Sequence, residues 1–213
     1  MRLKHGHTFL ELHQLRAGDG LPLLLLHQLR GSSADWGTPP EWSGSVYALD
    51  FSGHGHSGWL AGGGYYPELL AGDADAALAH LERAAVAGAG LGAYIALMLA
   101  SARAAAVPAA LLLPGRGLEG AGPVPEYEAP FPEIDAIGAA NADGFDPFVE
   151  MTEYFVRPPE YAFELVSAAQ RVLLADSGER PPWWVALRSC RNVEAVPPDL
   201  NTAIRRLALS SPG

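Results

Sequence analysis

The sequence predicts an α/β fold, with a mostly parallel central sheet layered between helices, and three observations carry the prediction. Short, continuous apolar runs alternate with segments of helical periodicity along the chain. One run passes into a helix through a glycine-rich turn, "AAVAGAGLGAYIALMLA" from Ala84 to Ala100. The opening segment instead mixes β-formers with polar residues, the pattern of an antiparallel arm with one wet face. Parallel strands joined through helices imply right-handed crossovers.

Each element has its own signal. "HTFLELHQLRAGDG" predicts a hairpin arm that stops at Gly18-Asp19-Gly20. "LPLLLL", Leu21 to Leu26, is a strand buried on both faces, and "SVYALD", Ser45 to Asp50, is a second. "PELLAGDADAALAHLERA" places Pro67 in a first turn and repeats Leu69, Leu70, Ala74, Ala77, Leu78 and Leu81 at helical spacing. "AAVAG" is a third strand, Leu91 to Ala102 a second helix, and "VPAALLLPG" a fourth strand. From Glu119 to Asp146 the chain turns rich in proline, glycine and acidic residues, an excursion from the core. A helix is expected on either side of Pro158-Pro159. "RVLLAD" then resumes the core as a strand, followed by "PPWWVALRSC" as a helix and "NVEAV" as the last strand. "DLNTAIRRLAL" closes it as a helix capped by Asp199 or Asn201. The expected organisation is one domain, with core at 1–118 and 171–213 and an insertion at 119–170.

Bulk composition narrows the function classes. The chain has 213 residues, 49% of them hydrophobic and 18% charged, a globular and not a disordered balance. A formal charge of -10 argues against nucleic-acid or anionic-membrane partners, which need clustered Lys and Arg. Cys190 is the only cysteine, which suits a reducing, cytoplasmic setting and excludes an internal disulfide. The N-terminus has neither a long apolar core nor a small-residue cleavage site, so no signal peptide is expected. Ala84 to Ala102 is uncharged, but Gly88, Gly90 and Gly92 interrupt it, favouring a buried strand and helix over a bilayer span.

Four stretches in this order resemble the α/β-hydrolase superfamily. "PLLLLHQLRGSSADW" is similar to the family's third strand and following loop. "YALDFSGHGHSG" resembles the fourth strand with its Asp-x-x-Gly-His-Gly-x-Ser signature. "VAGAGLGAYIALMLA" resembles the strand, nucleophile elbow and helix, and 119–170 stands where the family carries a lid. The resemblance is tight from Leu21 to Gly117 and loose beyond.

The resemblance implies a serine at the centre of G-x-S-x-G, lifted above the sheet by a strained turn. Here the turn reads G-A-G-L-G, and Gly90 stands at the nucleophile position with no atom able to attack a carbonyl. The family's general base follows the last strand, where this chain reads "VPPDLN". All seven histidines lie at or before His80. Asp199 is too acidic an unperturbed carboxylate to replace that base. Asp176 and Glu179 stand where the family places its acid, with no imidazole to orient. Ordinary serine hydrolysis is therefore not expected.

The resemblance also implies an oxyanion cradle of two backbone N–H groups. One belongs to Leu91, at a helix start beside Gly90, and the other to Gln28 or Leu29. Gln28 replaces the usual glycine, and its side chain either obstructs the cradle or projects an amide into it. His27, Asp50, His54 and His56 fall at strand C-termini, the ligand edge of such sheets. They form either structural hydrogen bonds or a non-standard catalytic group; no metal and no cofactor is expected, although His54-Gly55-His56 has ligand spacing. His5 and His7 read as a turn feature. Trp183 and Trp184, with Tyr154, Phe155 and Tyr161, either line an apolar pocket or pack in the core. Arg116 lies at the ligand edge, placed to pair with a carboxylate. Three functions follow: a pseudo-hydrolase holding a small apolar or carbonyl- or carboxylate-bearing ligand, an enzyme with a non-standard site, or an interaction scaffold.

Overall fold

A computed structural model describes residues 1–6, 8–120, 144–176 and 178–208. The strands are β1 (Arg2–His5), β2 (Thr8–Leu26), β3 (Gly44–Asp50), β4 (Ala85–Ala89), β5 (Ala110–Leu113), β6 (Val172–Ala175) and β7 (Val193–Val196). The helices are α1 (Pro67–Leu81), α2 (Leu91–Ala102), α3 (Pro159–Ala168), α4 (Pro182–Leu187) and α5 (Leu200–Ala208). Strands β2, β4, β5, β6 and β7 follow one another across the sheet, with each pair from β2–β4 to β6–β7 parallel.

The arm and the Leu21–Leu26 run form one continuous strand, β2, whose direction relative to β3 reverses about Gly18-Asp19-Gly20, so that β2 folds around β3. Its first limb runs against β3, pairing Glu11 with Asp50 and His13 with Ala48. Its second limb runs with β3, pairing Leu23 with Val46 and Leu26 with Leu49. The bend is possible because the chain closes around Gly44, where a Cβ would overlap the Leu21 carbonyl. Strand β1 pairs with the first limb at the sheet edge.

Side-chain alternation divides the core into two layers. Leu24, Leu26, Val86, Leu112 and Leu174 meet α1 to α4 through Leu70, Ile95, Val166 and Trp183. Leu23, Leu25, Ala87, Leu111 and Leu173 meet α5 through Ile204 and Leu207. Strands covered on both faces have no wet side, which is why they read as unbroken apolar runs. Helix α2 is buried from Leu91 to Ala100. Asp199 caps α5 by accepting from the Thr202 N–H at 2.8 Å.

Within the 119–170 excursion, residues 121–143 lie outside the described residues. A run of 3-10 turns follows at Pro147–Tyr154, and α3 sends Ala162, Leu165 and Val166 into the core. Among the described residues no helix is long and apolar enough to cross a membrane.

Candidate functional site

The site is built where β4 turns into α2. Gly90 adopts φ 56° and ψ −119°, a conformation that favours glycine, and it occupies the cap position of α2. Added Cβ atoms on Gly88 and Gly92 would overlap the Gly92 and Leu26 carbonyls, so the turn closes only with glycine at both places. This is the strand, tight bend and helix expected from the sequence.

What covers Gly90 was not expected. The loop after β5 lies across the turn, and the Arg116 carbonyl oxygen accepts from both Leu91 N–H at 2.9 Å and Leu29 N–H at 3.2 Å. A Cβ on Gly90 would overlap that same oxygen and fall 2.7 Å from the Gly115 carbonyl carbon. Both donors of the expected cradle are therefore bonded to the chain's own main chain in this structure. Gln28 neither blocks the cradle nor enters it. Its Oε1 accepts from the Arg116 N–H at 3.0 Å and so clamps the covering loop. The Arg116 side chain is exposed, and the residue's main chain makes these contacts.

The covering loop is also held from below. Arg157, 4% exposed, donates to the Gly117 carbonyl at 2.5 Å and the Leu118 carbonyl at 2.6 Å. Its guanidinium lies 4.8 Å from the Tyr94 ring centroid. Burial brings its pKa down to about 10, which leaves it cationic at neutral pH. Trp183 Nε1 donates to the same Leu118 carbonyl at 2.8 Å.

The tryptophans pack in the core. Trp183 is 1% and Trp184 0% exposed. Trp183 meets Tyr94 edge-on at 5.1 Å and Trp184 at 5.5 Å. Helix α4 turns both rings inward, whereas Phe155 and Tyr161 face solvent. Three grooves among the described residues run along the surface, one past Met98 and Tyr161, one past Cys190 and one past Trp42. None of the three includes Gly90, Leu91 or Arg116.

The acid positions carry no relay. Asp176 follows β6 and is held by Arg188 Nε at 2.5 Å and Nη2 at 2.8 Å; that pair keeps its carboxyl below the usual range. Glu179 is exposed, and its carbonyl accepts from Arg180 at 2.9 Å. Asp199 serves as the cap of α5.

His27 and His54 are buried and neutral. His27 Nδ1 donates to the Gln28 carbonyl at 2.7 Å, which leaves Nε2 to accept from the Phe51 N–H at 3.1 Å. With both nitrogens engaged and burial pushing its pKa down, His27 has no free lone pair for a proton. His54 lies 4.8 Å from the His27 ring, with Nδ1 3.2 Å from the Ser52 carbonyl. Burial pushes its pKa down to about 3, so it stays uncharged. The four-residue cluster read from the sequence is thus divided: His27 and His54 brace the loops, and Asp50 and His56 meet elsewhere.

They meet with His13, which the sequence reading passed over. Asp50 is buried, and its Oδ1 accepts from the Ser33 N–H at 2.6 Å. Its Oδ2 accepts from the His56 N–H at 2.9 Å and lies 3.1 Å from His13 Nε2. Burial opposes charge on this carboxyl, but the His56 and Ser33 amides outweigh it and hold the pKa below the ordinary value. The signal for His13 was strand pairing: β2 opposes β3 so that Glu11 faces Asp50 and His13 lies two residues along.

This sheet order, the crossed-over arm and the glycine elbow define the α/β-hydrolase fold. No family model matches the chain, and no curated protein does. Solved structures do match over nearly its full length. Est816, described as an N-acyl homoserine lactone degrading enzyme, superposes with a TM-score of 0.70 at 19% identity, covering 98% of this chain and 95% of its own. The thioesterase domain from the curacin biosynthetic pathway gives 0.71 at 16% identity, covering 98% and 97%. The hypothetical protein PA1622 from Pseudomonas aeruginosa PAO1 gives 0.71 at 18% identity, covering 98% and 96%. The likeness is one of fold.

Proposed function

We propose that this chain is a pseudo-hydrolase, an α/β-hydrolase scaffold that does not perform acyl transfer. One observation supports the reading above the rest: the Arg116 carbonyl sits on the Leu29 and Leu91 N–H groups, directly over Gly90. A hydrolase needs those donors free for the oxygen that becomes negative, and it needs an attacking atom beneath it. Here the donors are taken and the attacking side chain is a hydrogen. The absence of any histidine beyond His80 removes the proton shuttle as well.

The reading extends to binding. A small ligand bearing a carbonyl or carboxylate reaches the Leu29 and Leu91 donors by displacing the Arg116 oxygen, so binding and movement of the 114–117 loop form one event. The acidic surface suits such a small partner better than nucleic acid, and the single cysteine suits a cytoplasmic location. A panel of p-nitrophenyl esters of increasing acyl length, combined with a fluorophosphonate probe, tests the reading. Neither turnover above the buffer rate nor covalent labelling is expected. Turnover or stoichiometric labelling overturns it.

A further inference from the structure

We infer that His13, Asp50 and His56 form a site for one divalent transition ion of the zinc class, open to solvent on the side away from Asp50. The three donors come from separate parts of the chain: His13 from the first limb of β2, Asp50 from the end of β3, and His56 from the loop beyond. His13 Nε2 and His56 Nδ1 approach the same carboxylate oxygen, Asp50 Oδ2, at 3.1 and 3.5 Å. One ligand atom from each residue fits within a span of 4.8 Å. Four-coordinate zinc, with bonds of about 2.0–2.1 Å, holds neighbouring ligands about 3.3 Å apart. The two shorter separations already match, and the third closes by a swing of the His56 ring, whose side chain is 80% exposed.

The surroundings complete the design. Asp50 is anchored by the Ser33 and His56 amides, the outer bonds that orient a ligating carboxylate. The His54-Gly55-His56 loop curls tightly around it, since a Cβ on Gly55 would overlap the Asp50 carboxyl. His13 is 31% exposed and His56 more so, leaving an entry path and room for water as a fourth ligand. Two imidazoles and one carboxylate suit zinc, nickel, cobalt or copper better than calcium or magnesium, which take oxygen ligands alone. The site shares no residue with the covered elbow, so it stands whether or not the elbow is inert.

The test titrates zinc chloride into tag-free protein by calorimetry, with cobalt absorption as a second readout. Saturable 1:1 binding is expected, together with visible cobalt bands distinct from those of the aqueous ion. His13→Gln and His56→Gln each weaken affinity at least tenfold, and His80→Gln, on an exposed helix end, leaves it unchanged. Both active substitutions fall on solvent-facing side chains, and circular dichroism confirms that the variants fold. Absence of saturable binding, or binding that the His13→Gln/His56→Gln double variant retains unchanged, overturns the assignment.

Discussion

The Arg116 carbonyl oxygen lies over Gly90 where a side chain would begin, and it bonds to the Leu91 N–H at 2.9 Å. Nucleophile position, donor pair and covering loop are thereby coupled, because none of the three can change without moving the others. On the reading proposed above, an oxygen acceptor from the chain itself fills the place that an acyl oxygen takes in an active hydrolase.

Placing a serine at the elbow is therefore expected to yield no hydrolase. In Gly90→Ser the new Cβ meets main chain, which cannot swing aside as a flexible side chain does. The left-handed backbone and the displaced Arg116 bonds together cost about 2–4 kcal/mol of stability. Chemical denaturation reads the loss, and ester hydrolysis stays at the wild-type background. Recovery of turnover in this single variant contradicts the coupling.

Loosening the clamp gives a milder and more local effect. Gln28→Ala removes the acceptor for the Arg116 N–H and costs about 0.5–1.5 kcal/mol. Amide exchange at Leu29 and Leu91 is expected to accelerate at least fivefold, while Val86 and Leu112 in the sheet keep their protection. Unchanged exchange at Leu29 and Leu91 separates Gln28 from the cover.

Asp73 supplies a pH dependence of unusual sign. It is buried in α1, accepts from Ser52 N at 2.8 Å and Ser52 Oγ at 3.1 Å, and burial pushes its pKa up to about 7. The folded state therefore keeps a proton that the unfolded chain releases near pH 4. Stability from this group is full below that pH and is lost as pH rises to about 7, to an extent on the order of 4 kcal/mol. Asp50, Asp75 and Asp176 titrate in the opposite sense, so the quantity to measure is wild type minus Asp73→Asn across pH 4 to 8. That difference should decline with pH; a flat one rules out the buried proton.

Much of the fold could be read from the chain because burial leaves a plain mark. Strands covered on both faces read as apolar runs, and helix α2 begins and ends at Leu91 and Ala102 as its glycines and periodicity predict. The elbow was legible for the same reason: three glycines at alternate positions have few other uses. The cover was not, since a carbonyl has no side-chain signature, and Arg116 was read for its guanidinium. His13 escaped notice because its proximity to Asp50 depends on how β2 opposes β3, a register set by distant glycines. Trp183 and Trp184 left two readings open, since a buried indole and a pocket-lining one leave the same mark in the sequence.

The way β2 wraps β3 bears on how the protein is made. Its two limbs leave the ribosome before the strand that must slot between them, and they cannot pair with each other without closing that slot. Until residue 50 emerges, Leu23 to Leu26 lack their β3 partner and present an unpaired apolar edge to solvent. The interval before β3 and β4 arrive leaves that apolar strand open to pairing with neighbouring chains.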